Sequence, residues 1–196
     1  MIYSVLPPEN CGTNLKLMRI GWSLLVFLLI FAAPARAAES LDALFDKLHE
    51  TENPIEARQI ERKIWEAWGV SGSDTLDSLL QSGIQLMNQG ELQRADQVFT
   101  AMIELKGDFA EAYNKRATVR FMAGDYAGSV ADVERTLRLE PRHFGALAGL
   151  GLIMERVDNL PEALRAYRRA MAVNPHLADM ANKLKEVRRK LDAKEL

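Results

Sequence analysis

Apolar residues recur at helical spacing from Leu41 to Leu191, broken by short polar segments. Leu41, Leu44, Phe45 and Leu48 stand at i, i+3, i+4 and i+7, the spacing of one helix face, with Ser40 placed to cap it. Glu52-Asn53-Pro54 reads as a turn, and Pro54 suits the first position of a second helix carrying Ile55, Ile60, Ile64, Trp65 and Trp68. After a polar loop at 69–74, where Ser73 or Asp74 can cap the next helix, the pattern repeats every 34 residues without insertion: 76–109, 110–143 and 144–177. Gly90 recurs as Gly124 and Asp158, Ala95 as Ser129 and Ala163, Phe99 as Val133 and Tyr167, and Gly107 as Pro141 and Pro175. Such a period, with small residues at fixed offsets, predicts two short antiparallel helices per repeat, stacked into a superhelix. Leu177, Met180, Leu184, Val187 and Leu191 then predict a last helix, whose outer face carries Lys183, Lys185, Arg188, Arg189 and Lys190.

The third copy reads Leu147-x2-Leu150-Gly151-x2-Met154, then Ala163-x3-Tyr167, then Pro175. This resembles the tetratricopeptide repeat, with its Leu-x2-Leu-Gly-x2-Tyr, Ala-x3-Phe and Pro. The second copy opens Ala110-Glu111-Ala112-Tyr113 and turns at Gly124-Asp125-Tyr126, and the first has Gly83, Gly90, Ala95 and Phe99 in register. Gly83, Ala117 and Gly151 would let the second helix approach closely, and Ala95, Ser129 and Ala163 would answer from it. The resemblance implies an all-α fold: a right-handed superhelix of three helix-turn-helix repeats over 73–177, with an N-terminal helical hairpin (38–72) and a C-terminal capping helix (178–196). Stacked repeats need protected ends, so the hairpin is expected to cap the open apolar end of the first repeat. A partner-binding patch is the other reading of Trp65 and Trp68, since aromatics are enriched at interfaces.

The first 37 residues change the picture. Lys16 and Arg19 precede an apolar run at 20–33, and Ala35-Arg36-Ala37 follows as a small-residue cleavage site. That is the pattern of a secretory signal peptide, too short to span a bilayer as a helix. Met18 directly precedes Arg19, so translation starting there is an alternative to Met1. The expectation is export to the periplasm with cleavage after Ala37. The single cysteine, Cys11, lies upstream of the run, so the mature chain would hold no disulfide or thiolate site. Without Lys16, Arg19, Arg36 and Glu9 the chain keeps 22 basic and 26 acidic residues, and this balance does not suit nucleic acid.

Little in the sequence points to catalysis. His49, His143 and His176 form no metal-ligand motif, and no phosphate-binding glycine loop or nucleophile motif occurs, so no metal, cofactor or enzymatic activity is expected. Arg116 and Arg120 share a helix face where the family usually has Leu and Tyr. Either they pack their stems and reach a carboxylate such as Asp132 or Glu155, or they make a cationic spot for an anionic ligand. The resemblance places ligands on the concave surface lined by the first helix of each repeat. The inward positions are then Leu80, Ile84 and Met87; Asn114, Thr118 and Phe121; and Ala148, Leu152 and Glu155, each set at i, i+4, i+7. Family members that grip a chaperone's C-terminal carboxylate use Lys, Asn, Lys and Arg where this chain has Leu80, Ile84, Gly145 and Gly149, so that activity is not expected. A mostly apolar groove suits an extended or helical peptide, unless the hairpin or a second copy fills it. The resulting expectation is a protein-interaction adaptor or scaffold of the cell envelope. An accessory subunit of an envelope enzyme and a chaperone of secreted proteins are the alternatives. Membrane contact is expected only through the basic last helix.

Overall fold

The computed structural model describes residues 39–194, and these fold into nine α-helices with no strand among them. The expected leader and its cleavage site lie outside the described residues. α1 (Leu41–Glu50) and α2 (Pro54–Trp68) form the hairpin. Ser40 accepts the Ala43 N–H at 3.2 Å, and Asn53 Oδ1 accepts that of Ile55 at 2.9 Å, so both helices start on side-chain caps. Three antiparallel pairs follow: α3 (Asp74–Asn88) with α4 (Leu92–Leu105), α5 (Ala110–Ala123) with α6 (Tyr126–Leu139), and α7 (Phe144–Arg156) with α8 (Leu160–Val173). α9 (Ala178–Asp192) closes the order.

The repeat pattern becomes packing at the close approaches within each pair. The Phe99 ring lies over Gly83 and the Tyr167 ring over Gly151, so near that a Cβ at either glycine would fall under 3.0 Å from ring carbons. Between them, buried Ser129 donates its hydroxyl to the Ala117 carbonyl at 2.7 Å. Each first helix ends in a left-handed residue, Gly90, Gly124 and then Asp158 at φ 59°. Asp158 has to bear the strain that glycine avoids.

The hairpin is not where the capping argument puts it. Leu44, Phe45, Leu48, Ala57, Ile60, Ile64 and Trp68 form one core with Phe144, the first residue of α7, and Val173 and Leu177 pack against it. Polar contacts agree: His176 Nε2 meets the Leu48 carbonyl at 3.0 Å, Asn174 donates to Glu61 at 2.7 Å, and Arg142 pairs with Asp42 at 2.8 Å. The hairpin therefore lies along the repeat junctions and covers the start of the third repeat, while the first repeat packs its own cluster around Leu76, Leu80, Phe99 and Met102. An apolar stripe requires burial but does not name the surface that supplies it.

A buried polar cluster sits under this contact. His143 accepts the Ala146 N–H on Nδ1, so Nε2 carries the proton and donates it to Glu111 at 3.0 Å. The imidazole stacks on Trp68 with ring centroids 4.0 Å apart. Glu111 also receives Asn114 at 3.0 Å and Lys115 at 2.9 Å. Burial alone would raise its pKa, but the His143 bond and the Lys115 charge outweigh this and hold it below the ordinary 4.5. A carboxylate with a depressed folded-state pKa adds stability above its unfolded pKa, and that stability is lost as pH falls through the folded value. Glu111→Gln should therefore lower the melting midpoint at neutral pH, and the gap to the parent should close on acidification below pH 4.5. Paired melts across that range check it; a gap independent of pH assigns the loss to packing instead.

The last helix buries Val187, while Met180, Leu184 and Leu191 pack on the cluster of Leu160, Ala163 and Tyr167. Two parts of its expected pattern differ. Leu177 joins the hairpin core, and Lys183 and Lys190 turn from the outer face to pair with Glu155 of α7. No helix among the described residues is long and apolar enough to cross a membrane.

Candidate protein-binding groove

Two hollows lie on the surface formed by the first helices. One is lined by Leu80, Gln81 and Ile84 of α3 and by Glu111 and Lys115 of α5, with Arg62, Trp65 and Glu66 of α2 on its far side. The other, with about 90 Å³ of free space, is lined by Asn114, Thr118 and Phe121 of α5 and by Gly145, Gly149 and Leu152 of α7. Its floor is Ala117, Ser129, Val133, Ala146 and Ile153. Both hollows follow one rule. The leading helix contributes the fifth and ninth residues of its repeat, and the next helix contributes its second and sixth. Superhelical twist turns each successive helix, so the lining moves about one turn toward the helix start.

That rule explains where the expected groove residues lie. Thr118 and Leu152 are exposed in the open hollow, and Phe121 is half-buried there against Tyr126, with the Arg156 guanidinium 5.9 Å from its ring. Ile84 faces the hairpin-side hollow while packing on the first-repeat cluster. The others need correction. Leu80 is only 2% exposed, because the first-repeat cluster and the chain at Gly69 close over it. Asn114 reaches the open hollow but is buried, with its amide spent on Glu111. Met87 packs into the first-repeat cluster, and half-buried Ala148 lies outside the open hollow. Glu155 points away from the groove: it accepts the Tyr167 hydroxyl at 2.7 Å and pairs with Lys183 and Lys190. Burial works against its charge, yet these donors hold its pKa below the ordinary carboxylate value.

Gly145 and Gly149 were absent from the expected lining set. Trp65 of α2 sits on Gly145, and a Cβ there would fall under 3.0 Å from two ring carbons. A Cβ at Gly149 would meet nothing within 4 Å. The signal available in the sequence was Gly149, which stands in the interior of α7 where glycine costs about 1 kcal/mol relative to alanine, one turn after Gly145 in the helix's first turn. Arg116 and Arg120 do not form a free cationic spot. Both bind Asp132, at 2.7 and 2.8 Å, and Arg120 also reaches Asp96 at 3.1 Å. Among the described residues no group of three or more His, Cys, Asp or Glu side chains could hold a metal ion.

The sequence is 35% identical over 143 residues to a TPR repeat-containing protein of Rhizobium etli, a match covering 73% of this chain and 70% of that protein. The chain belongs to the tetratricopeptide-repeat proteins. No protein-family model matches it. Among solved structures, the fold of this tetratricopeptide-repeat protein is similar to the first such domain of Spaghetti (RPAP3) bound to the HSP90 peptide SRMEEVD. There the TM-score is 0.58 at 20% identity, over 60% of this chain and 93% of that one. It is also similar to the Yersinia enterocolitica type III secretion chaperone SycD in complex with a YopD peptide, with a TM-score of 0.58 at 16% identity over 63% and 97% of the two chains.

Proposed function

We propose that this tetratricopeptide-repeat protein is a non-catalytic adaptor that holds a peptide or helical segment of another protein in the open hollow between α5 and α7. The observation that carries the reading is Gly149. It lies beside exposed Leu152, half-buried Phe121 and exposed Thr118, and nothing inside the protein needs its missing Cβ. A glycine kept in a helix interior at the mouth of an apolar hollow lets another backbone approach closely. The peptide-bound RPAP3 and SycD structures support this use of the fold. The hairpin covers the neighbouring hollow, and Trp65 walls one end of the open one, so the segment held is short. Leu152→Glu should leave the melting midpoint within a few degrees of the parent, because Leu152 is 36% exposed. Retention of partners in a cross-linked pull-down from intact envelope should fall at least tenfold, since desolvating an unpaired charge costs several kcal/mol. Full retention of every partner by Leu152→Glu would place the site elsewhere.

The same proposal puts the protein in the periplasm, supported by the basic flank, apolar run and small-residue site within residues 16–37. N-terminal mass analysis of protein from its host should begin at Ala38. A start at Met1 or Met18 in the membrane fraction would overturn that location.

A further inference from the structure

α9 begins 34 residues after α7, so it occupies the place of a first helix in a fourth repeat. Its Ala181, Leu184, Lys185 and Arg188 correspond to Leu147, Leu150, Gly151 and Met154 of the third repeat. In the third repeat Leu147, Leu150 and Gly151 are buried, and Gly151 receives the Tyr167 ring of α8. In α9 the matching residues instead line a groove of about 290 Å³, together with Leu164, Arg168 and Met171 of α8. The α8 wall has the same history. Val130 and Leu137, its counterparts on α6, pack against the cluster that includes Ala146, Ile153 and Ala166 of the next repeat. Both walls of the groove are therefore faces that, one repeat earlier, are covered by helices. Among the described residues no helix lies on this one.

Charge selects the occupant. Arg168, Lys185 and Arg188 are exposed and form no ion pair with any described residue, and the same holds for Arg169 and Arg189 beside them. Three other cations of α9 and its end are neutralised: Lys183 and Lys190 by Glu155 and Glu186, and Lys194 by Asp158. Lys185 also stands at the position where Gly151 admits an aromatic ring, so a helix seated here has to offer it a carboxylate rather than a ring. The apolar floor, Leu164, Met171 and Leu184, is half-buried between two helices. An apolar floor flanked by cations matches the apolar stripe and acidic flanks of an amphipathic helix.

We propose that the α8–α9 groove is a second docking site, distinct from the α5–α7 hollow, which takes an amphipathic helix of a partner protein. The helix carries apolar residues at i, i+3 or i+4, and i+7, flanked by Asp or Glu opposite Arg168, Lys185 and Arg188. The test uses the full chain as its host accumulates it and a fluorescein-labelled synthetic helix of that pattern, read by anisotropy. Arg168→Glu with Arg188→Glu should weaken binding by about tenfold or more, since two attractive contacts become repulsive. A peptide with Lys in place of Glu should fail to bind. The control, Arg94→Glu with Arg138→Glu, makes the same charge change away from the groove and should leave affinity unchanged. Equal loss in the control, or no binding by the parent, overturns the proposal. So does association with phosphatidylglycerol vesicles that the groove variant alone abolishes, which assigns the surface to lipid. Concentration-dependent self-association lost in the groove variant alone assigns it to a second copy, and likewise overturns the partner-helix reading.

Discussion

Gly151→Ala should lower the thermal midpoint by about 2–10 °C, while Gly149→Ala, two residues away on the same helix, should raise it by about 2 °C. Both substitutions give the same gain in helix propensity, roughly 0.5–1 kcal/mol. They differ in what the new methyl meets. At Gly151 it falls under 3.0 Å from three carbons of the Tyr167 ring. That ring is fully buried and tethered, because its hydroxyl donates to Glu155 at 2.7 Å. Burial and the adjacent Glu155 both push the Tyr167 pKa up, so the phenol stays a donor and the tether holds. The helices α7 and α8 then have to separate, and overpacking of this kind costs about 2–3 kcal/mol. At Gly149 there is nothing within 4 Å to displace. Differential scanning calorimetry of the two variants separates close packing from helix propensity; shifts of the same sign would show that Gly151 is not a packing glycine.

The repeating helices were legible because packing writes directly into the sequence here. Gly83 requires Phe99, Gly151 requires Tyr167, and the 34-residue offset carries the requirement from one pair to the next. A carboxylate partner for the two arginines at apolar repeat positions was legible only as a choice of Asp132 or Glu155; Asp132 supplies it, while Glu155 pairs with Lys183 and Lys190. The hairpin's seat was not readable. Phe144, Val173 and Leu177 look like ordinary repeat and capping residues, and nothing local marks them as a landing surface for Leu44, Phe45 and Ile64. The groove was half legible. The stripe at i, i+4, i+7 on α5 lines the open hollow, although Asn114 in it is buried, but superhelical twist moves the lining of α7 from Ala148 and Glu155 to Gly145 and Gly149. That twist belongs to the stacking of whole repeats, which no single helix encodes.

Asp132→Ala should cost about 3 kcal/mol, and restoring the family's apolar residues beside it should recover most of the loss. Asp132 is buried in α6 and serves two arginines of α5: Arg116 through Nε at 2.9 Å and Nη2 at 2.7 Å, and Arg120 through Nη1 at 2.8 Å. The same guanidiniums extend to α4, where Arg116 donates to Thr100 at 3.0 Å and Arg120 to Asp96 at 3.1 Å. The network thus ties the first repeat to the second. Burial works against the Arg116 charge, but its bond to Asp132 more than compensates and raises its pKa. Without Asp132 the guanidinium keeps the burial cost and loses its bidentate partner; breaking one side of a buried pair is far more costly than replacing both. The arginine side chains keep 13% and 26% exposure, so the full cost of an isolated buried charge does not apply and about 3 kcal/mol is the expected scale. For a chain of this size that is a fall of roughly 6–12 °C in midpoint. The triple variant Arg116→Leu, Arg120→Tyr, Asp132→Ala removes the charges together and should return to within about 1 kcal/mol of the parent, because a well-packed apolar replacement of a buried ion network is often neutral. Chemical denaturation of parent, single and triple variants decides it. A triple as unstable as the single would mean that the charged network, rather than burial at these positions, holds the first two repeats in register.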